Sequence, residues 1–130
     1  EIGALEQHWL SLAYIVDVLR SNIPEAKIVV AATIAPNSKV FGDGAPSLAF
    51  SREDKLERTG TIKRYLENAI RFAQSQQIPL ADAYHPSVDN SGEGKMLYIN
   101  PADHIHYSDA GRQLVARTIV ETVVANKLLE

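Results

Sequence analysis

The segment Lys27-Ile-Val-Val-Ala-Ala-Thr-Ile34 constrains the fold of this chain more than any other stretch. It is β-branched and almost wholly apolar, and it lacks the polar alternation of a strand with one face in water. Such a run belongs in a parallel sheet covered on both faces, so covering helices must be found on either side of it in sequence. Upstream, Ile2, Leu5, Trp9, Leu12, Val16 and Leu19 recur at three- and four-residue steps. That spacing predicts a helix over the first twenty residues with one buried stripe, ending near Asn22. Pro24 disfavours a helical Ile23 and separates this helix from the strand.

Downstream, residues 35 to 51 contain Pro36, Gly42, Gly44 and Pro46, which predicts a long connection of little regular structure. Connections of that length are more often functional than idle. Ser51 and Asp54 have the spacing of a capping box, and Leu56, Ile62, Leu66, Ala69, Ile70 and Ala73 carry a second helix to about Gln76. Gly60 inside it costs about 1 kcal/mol relative to Ala, which implies close packing or a local irregularity. Ile78-Pro-Leu-Ala-Asp-Ala83 is short and apolar and reads as the next parallel strand, with Pro79 tolerated near its start. A second long loop follows from Tyr84 to Tyr107. Ser108 then caps a last helix whose inward ridge is Leu114, Val115, Ile119, Thr122 and Val123.

The order helix, strand, helix, strand, helix is that of an α/β layered domain with a parallel sheet. Two doubly covered strands would leave a hydrophobic edge of unpaired backbone groups, so further strands are expected from sequence outside these residues or from another chain. An apolar fraction of 45% over 130 residues supplies one core, hence a single domain over 1–130. Thirteen basic against sixteen acidic residues, with no Lys/Arg cluster, argue against a nucleic-acid partner. The absence of cysteine excludes disulfides and thiolate metal sites, and no apolar run approaches the roughly 20 residues of a membrane span. The chain enters a helical pattern directly from Glu1 without an initiator Met, so sequence upstream is expected. Leu129-Glu130 read either as a native helix end or as a cloning remnant and are set aside.

The chemistry is concentrated in Asn100-Pro-Ala-Asp103-His104-Ile105-His106-Tyr107-Ser108-Asp109-Ala110-Gly111, after the last strand and before the last helix. Active sites of open α/β sheets gather at that end of the strands. A carboxylate three residues before a histidine can fold back to accept from the imidazole Nδ1–H, which leaves Nε2 as a base and steadies the imidazolium. Gly111, in the first turn of the last helix, suits a close backbone approach.

This segment resembles the last block of the SGNH (Gly-Asp-Ser-Leu) hydrolase family, Asp-x-x-His followed by a short polar stretch, a Gly and a final helix. Asp103, His106 and Gly111 fall on its positions, and Ser108-Asp109-Ala110 is a common filling. Leu19-Arg20, Ile23-Pro24-Glu25-Ala26 and Lys27-Ile-Val-Val30 are similar to the family's helix-to-strand passage, and Leu80-Ala-Asp82 to its last strand. The likeness extends from about residue 10 to 125. It implies the C-terminal portion of a three-layer α/β/α, flavodoxin-like domain, in which Asp103 and His106 serve a serine that cleaves a small-molecule ester without cofactor. The Gly-Asp-Ser block and the Gly-x-Asn-Asp block are not in this sequence, and Gly42-Asp43-Gly44 has Gly where the serine should stand. The resemblance therefore implies a partner, either the N-terminal part of the same enzyme or a second copy, and an inactive chain on its own. His104 is a departure, since the family often has Gly or a small polar residue there.

Other readings stay open at this stage. Asp103 and His106 could be a loop carboxylate capping the turn before Ser108 and an exposed histidine. His104 and His106, with Asp103, could hold a metal if the segment were extended, with Asp82, His85 and Asp89 as the available further ligands. The same alternation of elements also suits a flavodoxin-like binding module without catalysis. His85 beside Pro86 reads as a turn residue, Asp82 as a structural cap, His8 as exposed or half-buried, and Trp9 as core.

Overall fold

Helix stripes at the predicted spacings fold the chain onto its strands. A computed structural model describes residues 2–130, with only the backbone of Ile2 included, so the expectations attached to Glu1 and to the Ile2 side chain lie outside the described residues. The elements are α1 (Ile2–Asn22), β1 (Val30–Ala32), α2 (Arg52–Ser75), β2 (Leu80–Asp82), the short α3 (Tyr84–Ser87), a 3₁₀ turn at Met96–Tyr98, and α4 (Asp109–Ala125). β1 and β2 pair in parallel, with Val30 opposite Leu80, Ala31 opposite Ala81 and Ala32 opposite Asp82. α2 packs on both strands, α1 packs on α2, and α4 packs on β2 and the 3₁₀ turn. The chain is thus of the general α/β class. No helix among the described residues is long and apolar enough to cross a membrane.

Val16, Phe72 and Ile78 form one buried cluster, over which Trp9, Leu12 and Ile28 close. Trp9 meets Phe72 edge to face at 5.2 Å between ring centroids, an arrangement that aromatic quadrupoles favour. Ala32, Ala35, Ile70 and Tyr84 form a second cluster beneath the end of β1. Small residues at 32, 35 and 81 let α2 approach the strands closely, since each is nearly inaccessible to solvent. The helix ends follow from their caps. Ser51 accepts from Asp54 N while Asp54 accepts from Ser51 N, and Ser108 accepts from Gly111 N at 3.0 Å, each cap contributing about 1 kcal/mol.

The structure departs from the sequence expectations at four places. Both strands are shorter than their apolar runs, three residues each in place of 27–34 and 78–83. A ladder extends only where a neighbour exists, and β1 has one on a single side. The loop 84–107 is not irregular throughout, because it holds α3, the 3₁₀ turn and two isolated bridges, Val88 to Gly94 and Ile99 to Tyr107. Leu56 and Ile62, assigned to the buried stripe of α2, and Ile119, assigned to the inward ridge of α4, are exposed, Leu56 to 52%, a two-stranded sheet being too narrow to cover either helix fully. Gly60 is neither closely packed nor irregular: a Cβ there would meet only Arg64 Nη1 at 3.8 Å.

Gly111 behaves as expected. A Cβ on it would lie 2.2 Å from the Tyr98 carbonyl oxygen and 3.2 Å from Tyr107 Cβ, and backbone on both sides leaves little room to give. Gly111→Ala should therefore lower stability by about 1–3 kcal/mol, whereas Gly60→Ala should raise it by up to ~1 kcal/mol. Urea unfolding of the two variants checks both signs, and a stabilised Gly111→Ala would contradict the packing described.

Candidate functional site

Residues 99–107 form a loop closed at its base. Ile99 and Tyr107 pair as a bridge, Asn100 N donates to the His106 carbonyl at 2.9 Å, and Ser108 N donates to the Tyr98 carbonyl at 2.9 Å. Inside it, the Asn100 side chain accepts from Ala102 N, and the Asn100 carbonyl accepts from His104 N at 2.9 Å. The turn so formed aims successive amides at one carboxylate. Asp103 Oδ1 accepts from Ile105 N at 2.9 Å and His106 N at 3.0 Å, and Asp103 Oδ2 meets His106 Nδ1 at 2.6 Å. A carboxylate only accepts, so Nδ1 carries the proton. The amide of Ile105, then the His106 imidazole and amide, hold the Asp103 carboxyl well below the usual range, at about 2.

Asp103 and His106, which the sequence places together, are thus brought into contact. The carboxylate is largely covered, 19% exposed, while the imidazole is 75% exposed. No described residue hydrogen-bonds to its Nε2. His106 borders a cavity of about 330 Å³ whose other walls are the end of β1 (Thr33 to Pro36), Phe41, Ile62, Ile99 and residues 104, 105 and 107. The walls are chiefly apolar, which suits an uncharged acyl or alkyl group more than an ion. No serine is among the lining residues. The hydroxyls of Ser38, Ser87 and Ser108 are bonded instead to Glu93, the Tyr84 carbonyl and the Leu97 carbonyl.

His104 makes a contact of its own outside the turn. Its Nδ1 lies 2.6 Å from the Asp43 carbonyl oxygen, so both Nδ1 atoms of the His-x-His pair are committed to protein acceptors. Among the described residues no group of three or more His, Asp or Glu side chains is placed to hold a metal ion. Asp89, another suggested ligand, is used within its own turn, accepting from Ser91 and Glu93.

The connection after β1 is sewn to the 84–107 segment. Ala35 N donates to Ser87 Oγ, Asn37 Nδ2 to the Gly94 carbonyl, and Gly94 N to the Pro36 carbonyl. A Cβ on Gly94 would lie 2.1 Å from the Ala35 carbonyl oxygen, so glycine is required there by contact. Glu93 accepts from Ser38 N and Oγ and from Lys63 Nζ. Burial works against its charge, but these donors outweigh that effect and hold its carboxyl below the ordinary range.

A second Asp-His pair, missed in the sequence, lies at the end of β2. Asp82 Oδ2 meets His85 Nδ1 at 2.6 Å and Asp82 Oδ1 accepts from His85 N at 3.1 Å, which repeats two of the three contacts at Asp103 and lacks the one from Ile105 N. The signal was available, since both are Asp-x-x-His. The repetition shows that this contact is a local property of a carboxylate capping a turn with histidine at its third position. His106 is distinguished by place: it borders the cavity at the end of β1, and its carboxylate is the better covered, 19% against 29% exposed. His8, half-buried, accepts from Asn68 Nδ2 at 2.9 Å and packs on Tyr65, remote from these contacts in sequence and in bonding.

Comparison with protein-family models, curated proteins and solved structures gives no match.

The depressed Asp103 pKa fixes a pH dependence. Its ionised form is favoured in the folded chain, so the stabilisation is fully present above the unfolded value near 4 and is lost as pH falls toward about 2. The difference in urea midpoint between the native chain and Asp103→Asn should close as pH falls from about 4 to 2. A gap that stays constant through that window would contradict the assignment.

Proposed function

We propose that Asp103 and His106 are the charge-orienting acid and the general base of a serine ester hydrolase of the SGNH kind, with the serine supplied by polypeptide outside these residues. The observation that carries this reading is the imidazole of His106, gripped at Nδ1 by a covered carboxylate at 2.6 Å and open at Nε2 beside an apolar cavity. In the reaction, Nε2 takes the serine proton as Oγ attacks the ester carbonyl, then returns it to the departing alcohol. Water repeats the sequence on the acyl-enzyme. Asp103 keeps its own charge throughout and stabilises the imidazolium. No step calls for a metal or an organic cofactor.

The edge of β1 supports a larger three-layer domain. Val30 N donates to the Pro79 carbonyl and the Ala32 carbonyl accepts from Ala83 N, so even-numbered residues of β1 turn their amides to β2. In a parallel ladder the odd-numbered ones then turn away, and Ala31 is exposed. Beside this edge runs an apolar groove of about 570 Å³ between α1, α2 and β1, lined by Leu12, Ile15, Leu19, Ile28 and Val29 among others. An open strand edge over such a groove favours further parallel strands there, either from the serine-bearing part of the same enzyme or from a second copy. One observation favours a non-catalytic α/β binding module instead: Asp82 and His85 make the same carboxylate-imidazole contact at 2.6 Å.

The chain alone should not turn over p-nitrophenyl acetate, since nucleophile and oxyanion donors are both missing and each donor is worth about 3–4 kcal/mol. Joined to the serine-bearing segment it should do so. His106→Ala should then lower kcat by roughly four to six orders of magnitude, and His85→Ala should leave it nearly unchanged. Near-full activity in His106→Ala would overturn the proposal, and turnover by the chain alone that His106→Ala abolishes would place the nucleophile within it.

A further inference from the structure

We infer that His104 is a positioning residue that latches the 36–50 connection onto the catalytic turn and thereby holds Asp103 and His106 in register. This rests on the esterase reading for its consequence, though not for its geometry. His104 has φ 54°, the left-handed region, which side chains other than Gly, Asn and Asp adopt less readily. That conformation follows directly after Asp103 and swings the next two amides, Ile105 N and His106 N, back onto Asp103 Oδ1 at 2.9 and 3.0 Å. The grip of the carboxylate therefore depends on a residue that would leave this conformation if nothing held it.

Within the turn the His104 amide is held by the Asn100 carbonyl, and the His104 side chain adds the restraint from outside the turn. Its Nδ1 lies 2.6 Å from the carbonyl oxygen of Asp43, 61 residues away in sequence, and a carbonyl can only accept, so His104 is protonated at Nδ1. Two further contacts make the Asp43 carbonyl a fixed anchor. Asp43's own carboxylate is paired with Lys55 of α2. Gly44 (φ 85°) lies so close that a Cβ on it would stand 2.4 Å from the Ala102 carbonyl oxygen. A line of support thus runs from α2 through Lys55, Asp43 and His104 to the turn that carries the acid and the base. His104 also forms part of the cavity wall beside His106, so the same bond shapes the space in which a substrate would sit.

Two substitutions separate the bond from the backbone. His104→Gly accepts the left-handed conformation but removes the donor. His104→Asn also accepts it, and its Nδ2 occupies the place of the imidazole Nδ1 and can donate to Asp43. With the chain labelled at histidine with ¹⁵N, the solvent exchange rate of the His106 Nδ1 proton is measured by NMR at neutral pH, without any ester. The latch predicts a rise of roughly 3- to 10-fold in His104→Gly, the range set by loss of one hydrogen bond, and a rate within about twofold of native in His104→Asn. An unchanged rate in His104→Gly, or equally fast exchange in both variants, would overturn it. In the native chain neutral His104 should be the Nδ1–H tautomer, and finding it as Nε2–H would overturn the latch even if His104→Gly fails to fold. These readings are independent of ester turnover, so a failed latch and a failed esterase assignment give different results.

Discussion

The candidate site depends on one carboxylate collecting three N–H groups. Asp103 takes the amides of Ile105 and His106 on one oxygen and the His106 imidazole on the other. Each bond to an ionised acceptor is stronger than a neutral one, and together they keep the carboxyl charged to about pH 2. The charge in turn fixes the tautomer of His106. With Nδ1 occupied, the lone pair of the neutral ring sits on Nε2, the atom that faces no protein partner among the described residues. A base of this kind has no need of a conformational change before it accepts a proton, which is what preorganisation contributes to acid-base catalysis.

The contact between carboxylate and imidazole does not by itself distinguish this pair. Asp82 and His85 repeat it to the same 2.6 Å, because a carboxylate that caps a turn can meet a histidine three residues on. What separates the two is the added Ile105 amide on Asp103 and their surroundings. The loop of His106 is closed by the Ile99 and Tyr107 bridge, backed by Gly111 against Tyr98, tied through His104 to Asp43, and opens on a cavity at the end of β1. A motif of two residues carries little information about function until the scaffold gives it a direction and a neighbouring space.

Much of the scaffold was legible in the sequence, for reasons that are local. The stripe Leu5, Trp9, Leu12, Val16, Leu19 is the covered face of α1, and Ser51 and Ser108 cap the helices expected of them. Helical periodicity and capping are written in spacings of three and four residues. Strand lengths were overestimated because a strand ends where its neighbour ends, which no property of residues 27–34 reveals. The contact of Asp103 with His106 was legible for the same local reason as the caps. The role of His104 was not: its bond to Asp43 joins residues 61 apart in sequence, and its left-handed backbone has no signature in a residue type that usually avoids it. The pair at Asp82 and His85 was legible and was passed over, since Pro86 suggested only a turn.

The proposed esterase requires His106, and not His85, as the base that serves the nucleophile. The most direct measurement is a structure of the serine-bearing protein after reaction with a fluorophosphonate, which marks the activated serine covalently. The phosphonylated serine oxygen should lie within hydrogen-bond reach of His106 Nε2, at about 2.6–3.2 Å, with the ester group in the cavity lined by Phe41, Ile62 and Ile99. A labelled serine seated against His85, or against neither imidazole, would contradict it.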